Sequence, residues 1–248
     1  MSTKTKEQVL DLPNYEAHAN MGYEDVTAED MKIPFLTILQ ALSPQVQKKM
    51  DKYVEGAEAG MIFETVSGKV YNEITVIPCG FRKAYVEWVP RNQGGGYVKA
   101  HPDSNVLNLC HKDEGSNLDI LPNGNSISTT AYHSVMLVED GCVKPCMISM
   151  TGTQLKHSRS WITLMTSLKM PSLNGATFMP PMYAYYWKLR TVQETNKKGS
   201  FYSWSFEQGK QVTSKELFNE AKALHISVTK NQLALANAPH QEEIVEVM

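Results

Sequence analysis

Cysteine is scarce: Cys79, Cys110, Cys142 and Cys146 are the only four in 248 residues. Four are too few to staple a chain of this size, and they fit thiols kept reduced in a cytoplasm. No run of about 18 apolar residues occurs, so no membrane-spanning helix is expected. The stretch "MSTKTKEQVLDLPNYEAHAN" has no apolar centre of the secretory type, and the chain reads as cytoplasmic. No GxSxG elbow frames a nucleophile. "GGGYVKAH" has glycines but no following Gly-Lys, so it is no phosphate loop. No cofactor is expected. There is no internal repeat and no alternation of strands with helices, which disfavours parallel α/β architectures.

What is present describes an ordinary globular protein, 42% hydrophobic and 20% charged. The net charge of −2 is unevenly spread. Residues 1–73 hold 7 Lys/Arg against 12 Asp/Glu, residues 74–212 hold 14 against 9, and residues 213–248 hold 3 against 5. A basic middle lies between acidic ends, a distribution that attracts polyanions to the middle.

Residues 1–30 lack a sustained period and read as a flexible arm. In "IPFLTILQALSPQ", Phe35, Ile38, Leu39 and Leu42 recur at helical spacing until Pro44, predicting a short amphipathic helix. Its apolar face makes residues 31–45 a candidate for self-association. From Met61 the runs "MIFETV", "GKVYN", "EITVIPCGF" and "KAYVEWV" are β-branched and aromatic, with a hairpin turn at Ser67-Gly68. Residues 90–126 are rich in turn formers and read as a long functional loop. "SISTTAYHSVMLVEDG" and "CVKPCMISMTG" form a strand pair turning at Asp140-Gly141. "TQLKHSRSWITLMTSLKM" is a helix with Thr153 as N-cap. Loop "PSLNGATFMPP", strands "MYAYYWKLRTVQE" and "SFYSWSFEQGK", and helix "SKELFNEAKALHIS", capped by Thr213 or Ser214, complete the core. Residues 231–248 form an acidic tail.

This order predicts a mainly β fold with accessory helices, an OB-like antiparallel barrel with long loops, over residues 31–230. An α+β sandwich is the alternative.

In residues 183–190, strand alternation puts Tyr183, Tyr185, Trp187 and Leu189 on one face. Ala184, Tyr186, Lys188 and Arg190 share the other. Two unpaired cations cannot sit in a dry core, so the second face is solvated or binds a polyanion. The next strand offers Tyr202 and Trp204, with Lys197 and Lys198 in the turn. "FRKAYVEWVPR" places Lys83 and Tyr85 on one side and Arg82 and Trp88 on the other, followed by Arg91. The first helix adds Lys156 and Arg159 on adjacent positions. Interleaved rings and cations are what single-stranded nucleic acid requires, because bases stack on rings while cations follow the phosphates. Core strands share this composition, so both readings stand for any one ring.

Other chemistry fits less well. Cys142 and Cys146, with Cys110 and His111, are the only zinc ligands the spacing suggests, and adjacent Cys110-His111 is poor geometry for one ion. The Cys110/His111 region also leaves open a thiol-dependent hydrolase, and a nuclease is a further enzymatic alternative. A structural or regulatory assembly protein is another.

Three stretches carry a resemblance: "KIPFLTILQALSPQVQK", "GMIFETVSGKVYNEITVIPCGF" with "VEWVPR" and "GGGYVKAH", and "MYAYYWKLRTV". Together they resemble bacteriophage-encoded single-stranded DNA-binding proteins. The leading reading is a non-enzymatic protein that binds single-stranded nucleic acid, and the resemblance implies an OB-type core. It also implies sequence-tolerant binding of single-stranded DNA in phage DNA replication or recombination. The acidic tail would then recruit replication or recombination proteins, and the location would be the host cytoplasm.

Overall fold

The computed structural model describes residues 14–19, 21–27, 30–196 and 199–230. The chain divides into a unit of residues Met1–Lys32 and a larger one, Ile33–Met248. Within the first, Glu16–His18 form a single 3-10 turn. All that follows concerns the second.

Its strands are β1 (Leu36–Ile38), β2 (Ile62–Glu64), β3 (Val70–Tyr71), β4 (Glu73–Trp88), β5 (Tyr97–His101), β6 (His111–Lys112), β7 (Asp119–Ile120), β8 (Ser126–Glu139), β9 (Cys142–Thr151), β10 (Met170–Pro171), β11 (Thr177–Phe178), β12 (Tyr185–Asn196) and β13 (Gly199–Gln211). Among the described residues two α-helices, α1 (Leu155–Ser167) and α2 (Lys215–Lys230), follow β9 and β13. No helix among the described residues is long and apolar enough to cross a membrane.

The main sheet is antiparallel and strongly curled. β4 lies between β8 and β12, β9 flanks β8, and β13 flanks β12. Taking β4, β8, β9, β12 and β13 as five successive strands, with α1 between the third and fourth, this is the neighbour order of an OB barrel. The seam between β9 and β13 is filled by residues 34–40. Met147 N donates to Pro34 O at 2.8 Å on the β9 side. On the β13 side the Gln40 carboxamide pairs with the backbone of Tyr202.

That seam overturns the helix expected from Phe35 to Leu42. Leu36 faces the barrel core while Phe35 joins an outer cluster with Ala84, Tyr132 and Met147. Sides that alternate belong to a strand, and pairing with β2 and β9 outweighs the helical spacing of so short a run. Of the apolar side chains in residues 31–45, Phe35, Leu36 and Leu39 are buried within this chain, while Met31, Ile33 and Leu42 are exposed.

The hairpin turns appear where expected. Ser67-Gly68 links β2 to β3, with the buried Glu64 carboxylate accepting from Val66 N at 2.7 Å. Asp140 and Gly141, both at positive φ, link β8 to β9 as a two-residue hairpin turn requires. Residues 90–126 are more structured than a loop: β5, a 3-10 helix (Ser104–Leu109), β6 and β7 are built from them. "PSLNGATFMPP" likewise contains the small β10–β11 hairpin.

Inside the barrel, Ile74 and Val76, Val135 and Leu137, Ile148 and Met150, and Trp187 and Leu189 meet from four strands. α1 plugs the barrel with Ser158, Trp161 and Met165, spaced on one helical face. Trp161 stacks on Phe206 at 4.4 Å and on His133 at 4.8 Å. Gln154, not Thr153, occupies the N-cap of α1. α2, capped by Ser214 Oγ at Leu217 N, lays Leu217, Phe218, Ala221 and Leu224 over Ile77, Cys79 and Met136 on the outer face.

Two glycines allow close approaches. Gly60, at φ +94°, sits under the Tyr202 ring, where a Cβ would come within 2.6 Å of a ring carbon. At Gly209 a Cβ would lie 2.9 Å from Tyr186 O, beside the irregularity in the β12–β13 register. A side chain at Gly209 would displace the β12 backbone, and one at Gly60 would push the Tyr202 ring aside.

Candidate nucleic-acid interface

β4 carries the candidate site because it changes sides midway. Ile74 and Val76 point into the barrel. Pro78, which has no N–H to donate, begins a bulge in which Cys79 has no partner on β8. Beyond it, Phe81 lies opposite His133 and Arg82 opposite Tyr132. Residues directly opposite in an antiparallel pair share a face. Arg82, Ala84, Val86 and Trp88 are therefore on the outer face with Tyr132, Thr130 and Ser128. Across the other edge, β5 brings Tyr97 opposite Trp88 and Ala100 opposite Val86.

The result is a ring-and-cation cluster on the outside of the barrel. The Arg82 guanidinium lies over the Tyr132 ring, 5.2 Å from its centroid. Trp88 and Tyr97 meet edge to face at 6.1 Å. Both rings are half-buried, and Tyr132 is buried beneath Arg82. Burial pulls the Arg82 pKa down from its ordinary value and pushes the Tyr132 phenol up. Arginine nevertheless stays charged. Arg91 is exposed in the 3-10 turn just after β4. α2 covers the neighbouring part of this face, its Val228 touching the cluster of Ala84 and Tyr132.

Tyr97 and Tyr132 were not among the ring candidates drawn from sequence. Their signal was pairing register: each faces a residue of "FRKAYVEWVPR", which only the sheet order reveals.

The remaining candidates among the described residues do not join this cluster. Lys83 and Tyr85 occupy the opposite face of β4, Lys83 exposed and Tyr85 packed against Val106, Leu121 and Ile127. Phe81 is on that face too, 38% exposed, its ring 5.0 Å from His133. Trp204 is 2% exposed and sealed in the core. No ring face is left for a base, so the stacking expectation fails there. Tyr186 is packed into the cluster beneath α2, and Tyr202 covers Gly60.

Lys188 and Arg190 are on the outer face as alternation required, but Glu73 lies between them. Lys188 Nζ is 3.3 Å from Glu73 Oε1, and Arg190 Nε bonds Glu73 Oε2. Arg190 also lies 3.7 Å from Glu207. The hydrogen bond from Arg190 holds the Glu73 carboxyl below its ordinary value. Lys156 pairs with Glu194 at 2.7 Å, while Arg159 is exposed on α1. Along β12 and β13, then, Trp204 is in the core, Tyr186 lies beneath α2, and Lys188 and Arg190 share Glu73. Lys197, Lys198 and the acidic tail lie outside the described residues.

Zinc ligation by Cys142 and Cys146 is overturned by the strand that carries them. Four residues along extended β9 separate their Cα atoms by about 13 Å. Cys142 is exposed at the turn while Cys146 points into the barrel. Among the described residues no cluster of three or more His, Cys, Asp or Glu has metal-binding geometry. Burial, reinforced by Asp119, raises the Cys110 thiol above its ordinary pKa, so it is protonated at neutral pH and a poor nucleophile. His111 is exposed on β6.

No curated protein and no solved structure matches the chain. A family model described as "Pam3 phage gp34-like protein" matches residues 3–234, nearly the whole length. The barrel described above therefore belongs to a chain that is a member of the Pam3 phage gp34-like family.

Proposed function

We propose that this phage-family protein binds single-stranded DNA without strong sequence preference, in phage DNA replication or recombination. The observation that carries the reading is the outer-face cluster of Arg82, Trp88, Tyr97 and Tyr132. It sits on the first two barrel strands, beside the connection between them. OB barrels bind oligonucleotides on the neighbouring face, between that connection and the one linking the last two strands. Half-buried Trp88 and Tyr97 supply stacking surface, and Arg82 and Arg91 supply charge for the phosphates. Residues 231–248 are assigned the recruitment of replication partners.

Fluorescence anisotropy with a labelled single-stranded oligonucleotide and its duplex, across a salt series, tests this. The single strand binds more tightly, and log affinity falls linearly with log salt. Trp88→Ala weakens binding without unfolding the barrel. Absence of affinity for the single strand at low salt overturns the proposal.

A further inference from the structure

The segment between β4 and β8 folds back over the inner face of β4 and forms an open cavity of about 570 Å3. That volume suits a small ligand. At its base is Glu87, whose side chain is 5% exposed. Its carboxylate takes three hydrogen bonds: from Asn125 Nδ2 at 2.7 Å, from Asn123 Nδ2 at 3.3 Å and from His101 Nε2 at 2.8 Å. Burial pushes this carboxyl up, and the bonds from Asn125, His101 and Asn123 outweigh it, so Glu87 remains an anion. A carboxylate has about four acceptor positions, so about one stays open.

The walls are apolar, formed by Pro102, Val106, Leu109 and Leu121. The mouth carries Lys99, Asp103 and Asn105. Asp103 Oδ1 accepts from Asn105 N at 2.8 Å, and its second oxygen makes no hydrogen bond among the described residues. Lys99 is exposed and makes no ion pair among them. Apolar walls, acceptors at base and mouth, and one cation at the rim form a defined chemical pattern. It fits a flat heterocycle with a donor edge, linked to a phosphate that stays outside.

The path to the cavity is short. Tyr97 and Lys99 lie about 7 Å apart on β5, and the bulge at unpaired Val98 turns them to opposite faces. Among the described residues β5 pairs only with β4, so its other side is an edge. A single strand stacked on Trp88 and Tyr97 reaches Lys99 by turning around that edge.

We infer that the cavity takes one unstacked nucleobase bearing an exocyclic amino group (adenine, cytosine or guanine), with Lys99 on its phosphate. This rests on the proposed single-strand binding and adds a base-selective pocket to it. Thymine presents one N–H between two carbonyls, and those carbonyls would face the acceptors.

The test is a protein-observed NMR titration with dAMP, dCMP, dGMP and dTMP, beside anisotropy with an oligonucleotide. The three amino-bearing nucleotides shift the Asn105, Asn123 and Asn125 side-chain amides, and dTMP binds about tenfold more weakly. Lys99→Ala weakens all of them alike. Asp103→Asn, which keeps a capping oxygen for the 3-10 helix, narrows the gap to dTMP. Oligonucleotide affinity with unmoved cavity resonances, or equal binding of the four nucleotides, overturns the pocket and leaves the strand reading intact. Absence of affinity for both oligonucleotide and nucleotides overturns the two together.

Discussion

Gln40 and Tyr202 exchange two hydrogen bonds across the barrel seam. Gln40 Nε2 donates to Tyr202 O at 2.9 Å, and Tyr202 N donates to Gln40 Oε1 at 2.9 Å. Gln154 Nε2 donates to the same carbonyl at 2.9 Å. Two side-chain amides thus act as a substitute strand along the edge of β13, whose backbone groups would otherwise be left without partners. Gln40→Ala should destabilise the protein by about 1–3 kcal/mol, read as a lower urea midpoint. A midpoint equal to that of the wild type would show that the seam does not hold the barrel closed.

The two tryptophans Trp204 and Trp88 separate stability from binding. Trp204→Ala empties a core site and should cost about 3–5 kcal/mol of folding stability. Trp88→Ala should cost about 1–3 kcal/mol of single-strand affinity, with a much smaller effect on the unfolding midpoint. The reverse pattern would place the binding surface on β13 and remove it from β4.

Glu73 neutralises Lys188 and Arg190. Glu73→Gln removes the carboxylate that Lys188 and Arg190 share and leaves Glu207 beside Arg190 alone. Oligonucleotide affinity at low salt should rise, and the salt dependence should steepen. An unchanged slope would mean that nucleic acid does not pass over β12.

His133 gives stability a specific pH window. It is buried, bonds Ser158 Oγ at 2.8 Å, and burial lowers its pKa from 6.5 to about 3. The unfolded chain binds this proton more readily than the folded one. The stabilisation is complete above pH 6.5 and is lost as pH falls toward 3. Carboxylates whose pKa is lowered, such as Glu64 and Glu194, add to the loss only below their ordinary value of 4.5. Denaturant midpoints should therefore already fall between pH 6.5 and 5, and His133→Gln should flatten that part of the curve.

Thiol reactivity should follow position in the sheet. Burial lifts Cys79 and Cys146 to about 12, whereas Cys142 is exposed at the β8–β9 turn. Iodoacetamide followed by peptide mapping should find Cys142 alkylated first and Cys79 and Cys146 modified only after unfolding. Early modification of Cys146 would contradict its place in the core.

Local chemistry explains what was legible beforehand. Ser67-Gly68 and Asp140-Gly141 announce hairpins because few residues adopt those turns. The β-branched and aromatic runs mark the long strands. The seam was hidden, since Leu36 and Leu39 suit a helix face as well as a strand once β9 is out of sight. Lys188 and Arg190 were assigned the correct face, but their partner Glu73 is more than a hundred residues away in sequence. Tyr97 and Tyr132 join Arg82 and Trp88 only through register, which no single segment encodes. The Glu87 cavity depends on His101, Asn123 and Asn125 converging from a stretch that reads as turn formers.

The unpaired Cys79 makes β4 a ribbon with two phases. Upstream of it, even-numbered side chains belong to the barrel interior; downstream, even-numbered ones face outward. Pairing this residue in a regular ladder would shift every later side chain by one position. Arg82 and Trp88 would then rotate toward the inside, while Phe81, Lys83 and Glu87 turned out. Leaving Cys79 out of the ladder therefore keeps the hydrophobic lining and the ring-bearing exterior compatible along a single continuous strand.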